Sequence, residues 1–214
     1  MLWGGVAEGG GLELRRATDG SVKLSGVFPY GKYAILSDGG RSGRPQKEVI
    51  GSRAFEYRVN DPKEDIHFLV GHDYDHVLAS KSTGTLTLRD TAAALIFEAV
   101  ISRAISETTY GSDALAMIGA GLAVGISPGF RIPPARAVPD AEEITEEPDD
   151  GEIDEQGQPR RGALIRTVKA ALLYELSVVT RPAYPEAQIE ARRWSATHET
   201  PQDGLHRALQ RWRA

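Results

Sequence analysis

Short apolar or alternating segments, each bounded by glycine, proline or another turn residue, recur along most of this chain. An apolar side chain at every second position is typical of a strand with one face in the core. Within the body of the chain, residues 114–120 favour a helix, with Ser112 and Asp113 as candidate N-caps. Many short strands with one or two helices predict a mainly β fold with some α, in which a compact, largely antiparallel β barrel is surrounded by a few helices. The predicted strands lie at residues 21–28, 33–36, 48–55, 66–70, 84–89, 92–100, 163–169 and 171–179.

The 214 residues allow one well-buried core with appendages. We expect a loose N-terminal arm over residues 1–20, which are rich in glycine and charge, and one folded domain over residues 21–191. A basic C-terminal tail should follow over residues 192–214, where Leu205, Leu209 and Trp212 have the spacing of an amphipathic helix.

Composition excludes several classes of function. The chain has no cysteine, which excludes disulfides, thiolate metal sites and a cysteine nucleophile. The longest apolar run, residues 114–126, is too short and too rich in glycine to cross a bilayer, and no basic segment leads into an apolar stretch at the N-terminus. The glycine-rich segment 39–43 lacks the Gly-Lys-Ser/Thr ending of a phosphate-binding loop. We therefore expect a soluble intracellular protein without membrane, nucleotide cofactor or specific nucleic-acid partner.

The carboxylates are concentrated in one block. Residues 140–155 contain ten Asp or Glu and no Lys or Arg, although the whole chain has a net charge of only -5. Such a block buries too little apolar surface to offset its ordering entropy. The sequence therefore predicts an acidic mobile loop over residues 138–160.

Ser127 is a candidate nucleophile. Its setting, Gly-Ile-Ser-Pro-Gly over residues 125–129, matches the Gly-x-Ser-x-Gly elbow of α/β-hydrolases. That elbow requires a helix after the serine, which Pro128, Pro133 and Pro134 forbid, and Pro128 has no N–H for an oxyanion. The α/β-hydrolase interpretation therefore fails, while an ordinary turn serine remains the alternative.

His72 follows the apolar strand predicted at residues 66–70 and is a candidate general base. Together with Asp73 and His76 it is also a candidate metal ligand of a metal-dependent hydrolase. The His72–His76 spacing resembles zinc-binding helices, but no Glu follows the first histidine, and the preceding strand and Gly71 argue against a helix. A merely structural histidine is a third interpretation.

Glu175 is an acidic residue inside an apolar strand. It either points to solvent or is the third member of a catalytic set, a partly buried carboxylate that orients an imidazole and stabilises its protonated form. For an oxyanion only backbone N–H groups are available, and Gly129 is a candidate because it lacks a side chain.

Six segments of the chain occur in the order found in one protease family. Over roughly residues 24–189 the chain resembles the tailed-phage prohead maturation proteases, whose relatives include the herpesvirus assemblins. The segments are Gly51-Ser52-Arg53-Ala54-Phe55, Gly71-His72-Asp73, Ser82-Thr83-Gly84-Thr85-Leu86, Gly125-Ile126-Ser127-Pro128-Gly129-Phe130, Tyr174-Glu175-Leu176-Ser177-Val178-Val179 and Pro182-Ala183-Tyr184-Pro185-Glu186-Ala187.

This resemblance implies a serine protease. The family's serine nucleophile falls on Ser127 and its histidine base on His72, and an acidic third member falls on Glu175, where assemblins have a second histidine. No metal or other cofactor is implied. The substrates implied are the capsid scaffold and the N-terminal segment of the major capsid protein, cut inside the procapsid in the host cytoplasm.

The resemblance also implies a homo-oligomer, such as a dimer, and self-cleavage. Two features depart from the family pattern: the acidic block, which resembles an insertion, and Arg181 before Pro182. The alternative from another class is a non-catalytic capsid- or scaffold-associated protein on a degenerate protease fold.

Overall fold

The computed structural model describes residues 13–39, 43–123, 125–149, 151–153, 161–182 and 184. Strands predominate in this part of the chain, and the helices are few. The elements are β1 Glu13–Arg16, β2 Val22–Pro29, β3 Tyr33–Ser37, β4 Gln46–Ile50, α1 Glu56–Asn60, β5 His67–Val70, β6 Asp73–Ser80, β7 Leu86–Asp90, β8 Ala94–Ile101, α2 Arg103–Ser106, α3 Thr109–Gly119, β9 Gly125–Arg131, β10 Glu142–Glu146, β11 Leu164–Val168 and β12 Leu172–Val179.

The strands form three four-stranded sheets, with the orders β1-β2-β8-β7, β10-β11-β4-β3 and β6-β5-β12-β9. Only the pairs β11–β4 and β12–β5 are parallel among the described strands. The mainly β fold with few helices and largely antiparallel pairing is therefore confirmed. Each sheet keeps two edge strands within the described ranges, so the predicted closure into a barrel is not confirmed.

A cluster of aromatic rings joins the sheets. Phe28 on β2 contacts Phe55, which precedes α1, with ring centroids 6.2 Å apart, and Phe55 contacts Phe130 on β9 at 5.7 Å. Along β2 the buried positions alternate with less buried ones, as the period-two pattern predicts. The core therefore reaches from the first sheet to the strand that carries Ser127.

The first described residues form a strand rather than a loose arm. β1 pairs with β2 from Glu13–Ser25 to Arg16–Val22, and Leu14 packs against the core. The arm predicted over residues 1–20 is thus corrected at residues 13–16, because the single apolar side chain of this charged segment anchors it to the sheet. Residues 1–12 and the tail at 192–214 lie outside the described residues.

The acidic block is also partly ordered, which corrects the mobile loop predicted over residues 138–160. Strand β10 lies inside it and pairs with β11. Cations on neighbouring strands compensate the carboxylates, and the hydrogen bonds from Lys47 hold the pKa of Glu147 below its usual value. Residues 150 and 154–160 lie outside the described part. The ion pairs are Arg166–Glu142 at 2.7 Å, Lys169–Glu143 at 2.7 Å and Lys47–Glu147 at 2.9 Å.

The chain after β12 is tied back to the core by Tyr184. Its buried hydroxyl donates to Glu48 Oε1 at 2.8 Å, and its ring lies edge-on to Phe28 at 5.1 Å. Arg166 compensates the other oxygen of Glu48 at 3.1 Å. Burial, followed by the charge of Glu48, raises the pKa of the Tyr184 phenol, so it stays a neutral donor. This network joins the segment after β12 to strands β4 and β11.

Helix α3 begins earlier than the sequence predicts. Its N-cap is Thr108, whose hydroxyl oxygen accepts from the Gly111 N–H at 3.1 Å, so Ser112 and Asp113 are not the caps. The helix ends at Gly119, and the chain then leads into β9. Nowhere in the described ranges does a helix have the length and apolarity needed to span a bilayer.

Candidate active site

The sheet β6-β5-β12-β9 positions all three predicted catalytic residues. β12 carries Glu175 and lies between β5, which ends just before His72, and β9, which contains Ser127. Glu175 and Ser177 are two residues apart, so their side chains project from the same face of β12. Cross-strand partners share a face, and Ser127 is the partner of Ser177.

His72 lies in a tight turn between β5 and β6. Val70 pairs with Asp73, which leaves Gly71 and His72 as the two turn residues, and both have φ of 64°. Two positive φ values are the mark of a type I′ hairpin turn. The left-handed conformation costs a non-glycine residue roughly 1–2 kcal/mol. The contacts of His72 therefore have to hold it there.

The His72 ring contacts the carboxylate of Glu175. Nδ1 lies 2.7 Å from Oε1, and the Glu175 side chain is only 4% exposed, whereas the histidine side chain is 47% exposed. A neutral imidazole that donates its Nδ1–H to the carboxylate has its lone pair on Nε2. The arrangement thus leaves Nε2 as the nitrogen that can accept a proton from outside.

Ser177 is a site residue that the sequence reasoning missed. Its fully buried hydroxyl donates to Glu175 Oε2 at 2.5 Å and accepts from the His72 backbone N–H at 2.9 Å. It therefore joins the turn of His72 to the carboxylate that contacts the His72 ring. The signal was in the sequence: a serine two residues after a buried strand glutamate lies on the same face.

Ser127 lies across from Ser177 on β9. Directly paired residues of an antiparallel pair have Cβ atoms about 4.5–5.5 Å apart, which brings Ser127 next to the His72–Glu175 pair. Among the described residues no hydrogen bond joins the Ser127 hydroxyl to the His72 ring. Catalytic hydrogen bonds are often long in a free enzyme and shorten when substrate binds.

Gly129 makes room for the carboxylate. It is the β9 partner of Glu175, and a Cβ added there would lie 1.8 Å from Glu175 Oε1. Pro128 has no N–H, so its pair with Leu176 is of the non-hydrogen-bonded kind. Because the two kinds of pair alternate along an antiparallel ladder, the Gly129 N–H then points toward β12. The oxyanion role of Gly129 stays a prediction, and the distances support a steric role.

A second group of polar rings lies beside Glu175. His67 is the β5 partner of Glu175, and its ring lies 5.6 Å from that of Tyr74 and 3.4 Å from Asp65 Oδ2. Burial, and then the negative charge of Glu175, raise the pKa of the Tyr74 phenol. Tyr74 is therefore a neutral hydroxyl near the carboxylate at physiological pH.

Two of the three candidate metal ligands, Asp73 and His76, pair with each other, and His72 pairs with a different carboxylate. His76 Nδ1 lies 3.0 Å from Asp73 Oδ2 and its ring packs on Tyr110 at 5.0 Å, whereas His72 turns toward Glu175. Within the described ranges no three histidine or carboxylate side chains converge on a site for a metal ion. The structure therefore brings together His72 and Glu175 rather than His72, Asp73 and His76.

The family model described as caudovirus prohead serine protease matches residues 32–201, which is more than half of the chain. The chain belongs to this family. The matched residues include His72, Ser127 and Glu175 and the whole sheet that positions them, so the family model spans the candidate site of this prohead serine protease family member. No curated protein and no solved structure matches the chain. The relation to herpesvirus assemblins stays a prediction.

Replacing Gly129 with alanine should impair activity more than stability. The new methyl group displaces the Glu175 carboxylate, and a shift of about 1 Å in a catalytic group can cost about 10²-fold in rate. We expect such a loss in kcat/KM for peptide hydrolysis. Gly119→Ala is the matched control, since nothing lies within 4 Å of a Cβ added there. Equal kcat/KM values for the two variants would contradict the steric role of Gly129.

Replacing Ser177 with alanine should lower kcat with little change in KM. The variant leaves the His72 N–H and Glu175 Oε2 without their partner, at a cost of about 1–3 kcal/mol for a buried unsatisfied group. Ser177→Thr keeps the hydroxyl and should restore part of kcat. Ser80→Ala, another buried serine, should reduce stability in urea unfolding but leave kcat unchanged. A change in KM alone, with kcat unchanged, would contradict a positioning role for Ser177.

Proposed function

We propose that this member of the prohead serine protease family is an endopeptidase in which Ser127 is the nucleophile, His72 the general base and Glu175 the group that orients His72. The observation that carries the proposal is the 2.7 Å contact between His72 Nδ1 and the buried Glu175 carboxylate, on the sheet face that also presents Ser127. An imidazole held in one tautomer beside a serine is what activation of a hydroxyl requires.

The reaction follows from this arrangement. The Ser127 oxygen attacks the peptide carbonyl carbon while its proton passes to His72 Nε2, and Glu175 stabilises the imidazolium that forms. The proton then passes from Nε2 to the amine nitrogen as the C–N bond breaks, leaving an acyl-enzyme. Water then attacks the ester carbonyl carbon while Nε2 takes its proton, and that proton returns to the Ser127 oxygen as the C–O bond to Ser127 breaks, which releases the acid and restores the free enzyme. Apart from the water molecule, the chain supplies every group that forms a bond or moves a proton in these steps, so the proposal needs no cofactor.

The proposed substrates are proteins of the assembling capsid. The family description names the prohead, and this supports the proposal that the scaffold and the N-terminal segment of the major capsid protein are cleaved inside the procapsid. Self-cleavage and activation in a homodimer are further parts of the proposal.

Co-expression with the major capsid protein and scaffold of the same phage genome tests this function. Mass spectrometry of the capsid proteins should show shortened chains with the wild-type protease and with His76→Gln, but full-length chains with His72→Gln. Shortening that persists with His72→Gln would contradict the proposed base. Shortening that is lost with His76→Gln or with a chelator would favour the metal-dependent hydrolase, and binding to the shell without any cleavage would favour the non-catalytic protein.

A further inference from the structure

An open pocket of about 320 Å³ lies beside the candidate active site, and His72 is one of the residues that line it. The rest of the wall is mostly apolar: Val70 from the end of β5, Val178 and Val179 from the end of β12, and Met117 and Ala123 from α3 and the segment after it. None of these apolar groups takes part in the chemistry proposed above.

The pocket is held in a fixed position relative to the catalytic groups. Val178 and Val179 directly follow Ser177, whose hydroxyl binds both His72 and Glu175. Adjacent strand residues are about 3.3 Å apart, so Val179 lies about 7 Å along β12 from Ser177, the partner of Ser127. An extended substrate has the same rise per residue. For a substrate that lies extended along β12, a residue whose side chain occupies the pocket is therefore within about two residues of the bond that Ser127 attacks.

We propose that this pocket is the specificity site of the protease, and that it receives an aliphatic or aromatic side chain of the substrate next to the cleaved bond. The inference rests on the proposed function, since it assigns a substrate class to the same site. The wall chemistry selects the occupant: a charged side chain would lose its hydration against valine, methionine and alanine, whereas an apolar one gains by leaving water.

The size of the effect follows from hydrophobic pockets in general. Such a pocket discriminates by about 10- to 200-fold for each methylene group that fills it. Substrates with leucine, methionine or phenylalanine at the pocket position should therefore exceed those with glycine or alanine by at least about tenfold in kcat/KM. Gly71, Thr180 and the exposed Arg181 complete the lining of the pocket, so apart from His72 its polar groups lie at the end of β12.

A peptide library prepared from a digested proteome tests the proposal with the full-length protein. Mass spectrometry of the products gives the residues on both sides of each cleaved bond, and one position should be enriched in large apolar residues. Ala123→Leu should fill the pocket and lower kcat/KM for these peptides about tenfold, while peptides with alanine at that position are cleaved as before. Met117→Ala should enlarge the pocket and shift the preference toward aromatic residues.

Ala116→Leu is the matched control, because Ala116 is exposed on the same helix and does not line the pocket. Labelling of Ser127 by a phosphonate is measured in every sample to report whether the catalytic groups are intact. Two results with intact labelling overturn the specificity site alone. One is cleavage without an apolar preference, and the other is a preference that neither Ala123→Leu nor Met117→Ala changes. Loss of labelling and of cleavage in the wild-type protein overturns the proposed function and this inference with it.

Discussion

Replacing Ser127 with alanine should lower the rate of peptide hydrolysis by about 10⁴-fold or more, the scale expected when a serine nucleophile is removed. The variant should remain folded. Ser127 is partly exposed, and no hydrogen bond in the described part of the chain depends on its hydroxyl. Loss of a surface hydroxyl of this kind changes the free energy of unfolding by about 0.5 kcal/mol or less. Initial rates on a cleaved peptide and urea unfolding measure the two effects separately.

The control for this prediction is Ser112→Ala, at an exposed position of α3. It should match the wild-type protein in both rate and stability. Hydrolysis by Ser127→Ala at a rate within tenfold of that of the wild-type protein would show that another residue is the nucleophile.

Replacing Glu175 with glutamine should lower kcat by about 10³- to 10⁴-fold, because an amide cannot stabilise the imidazolium and fails to fix the tautomer of His72. The shape of the side chain is retained, so the sheet should remain intact. The measurement is kcat per folded molecule, with the folded fraction determined by circular dichroism.

Glu48→Gln provides a matched control, since Glu48 is a second buried glutamate, bonded to Tyr184 and Arg166 away from the site. It should reduce stability and leave kcat per folded molecule unchanged. If Glu175→Gln behaves in the same way as Glu48→Gln, then Glu175 has a structural role only.

Local pattern predicted the strands whose side chains alternate regularly, such as β2, and the hairpin of β7 and β8. It failed where an element depends on a distant partner. β10 consists of exposed, mostly charged residues, and it forms because cations on β4 and β11 lie beside it. β1 holds only one apolar side chain against the core. Such elements cannot be predicted from their own sequence, because the groups that stabilise them are far along the chain.

The site shows the same division. Patterns and family resemblance indicated His72, Ser127 and Glu175, and the structure brings these residues to one face of one sheet. The contact between Ser177 and Glu175 follows from alternation along β12, whereas the positions of Ser177 opposite Ser127 and of Glu175 opposite Gly129 depend on the register between β12 and β9. A shift of one residue would turn these side chains to the other face, and no local pattern fixes that register.

The most direct test of the central claim is the reaction of the purified protein with a serine-directed phosphonate, followed by peptide mapping of the adduct. We expect one adduct per chain, located on Ser127, which forms much more slowly in His72→Gln and is absent from Ser127→Ala. An adduct on a different residue, or labelling of Ser127 at an unchanged rate in His72→Gln, would contradict the assignment of Ser127 and His72 as nucleophile and base.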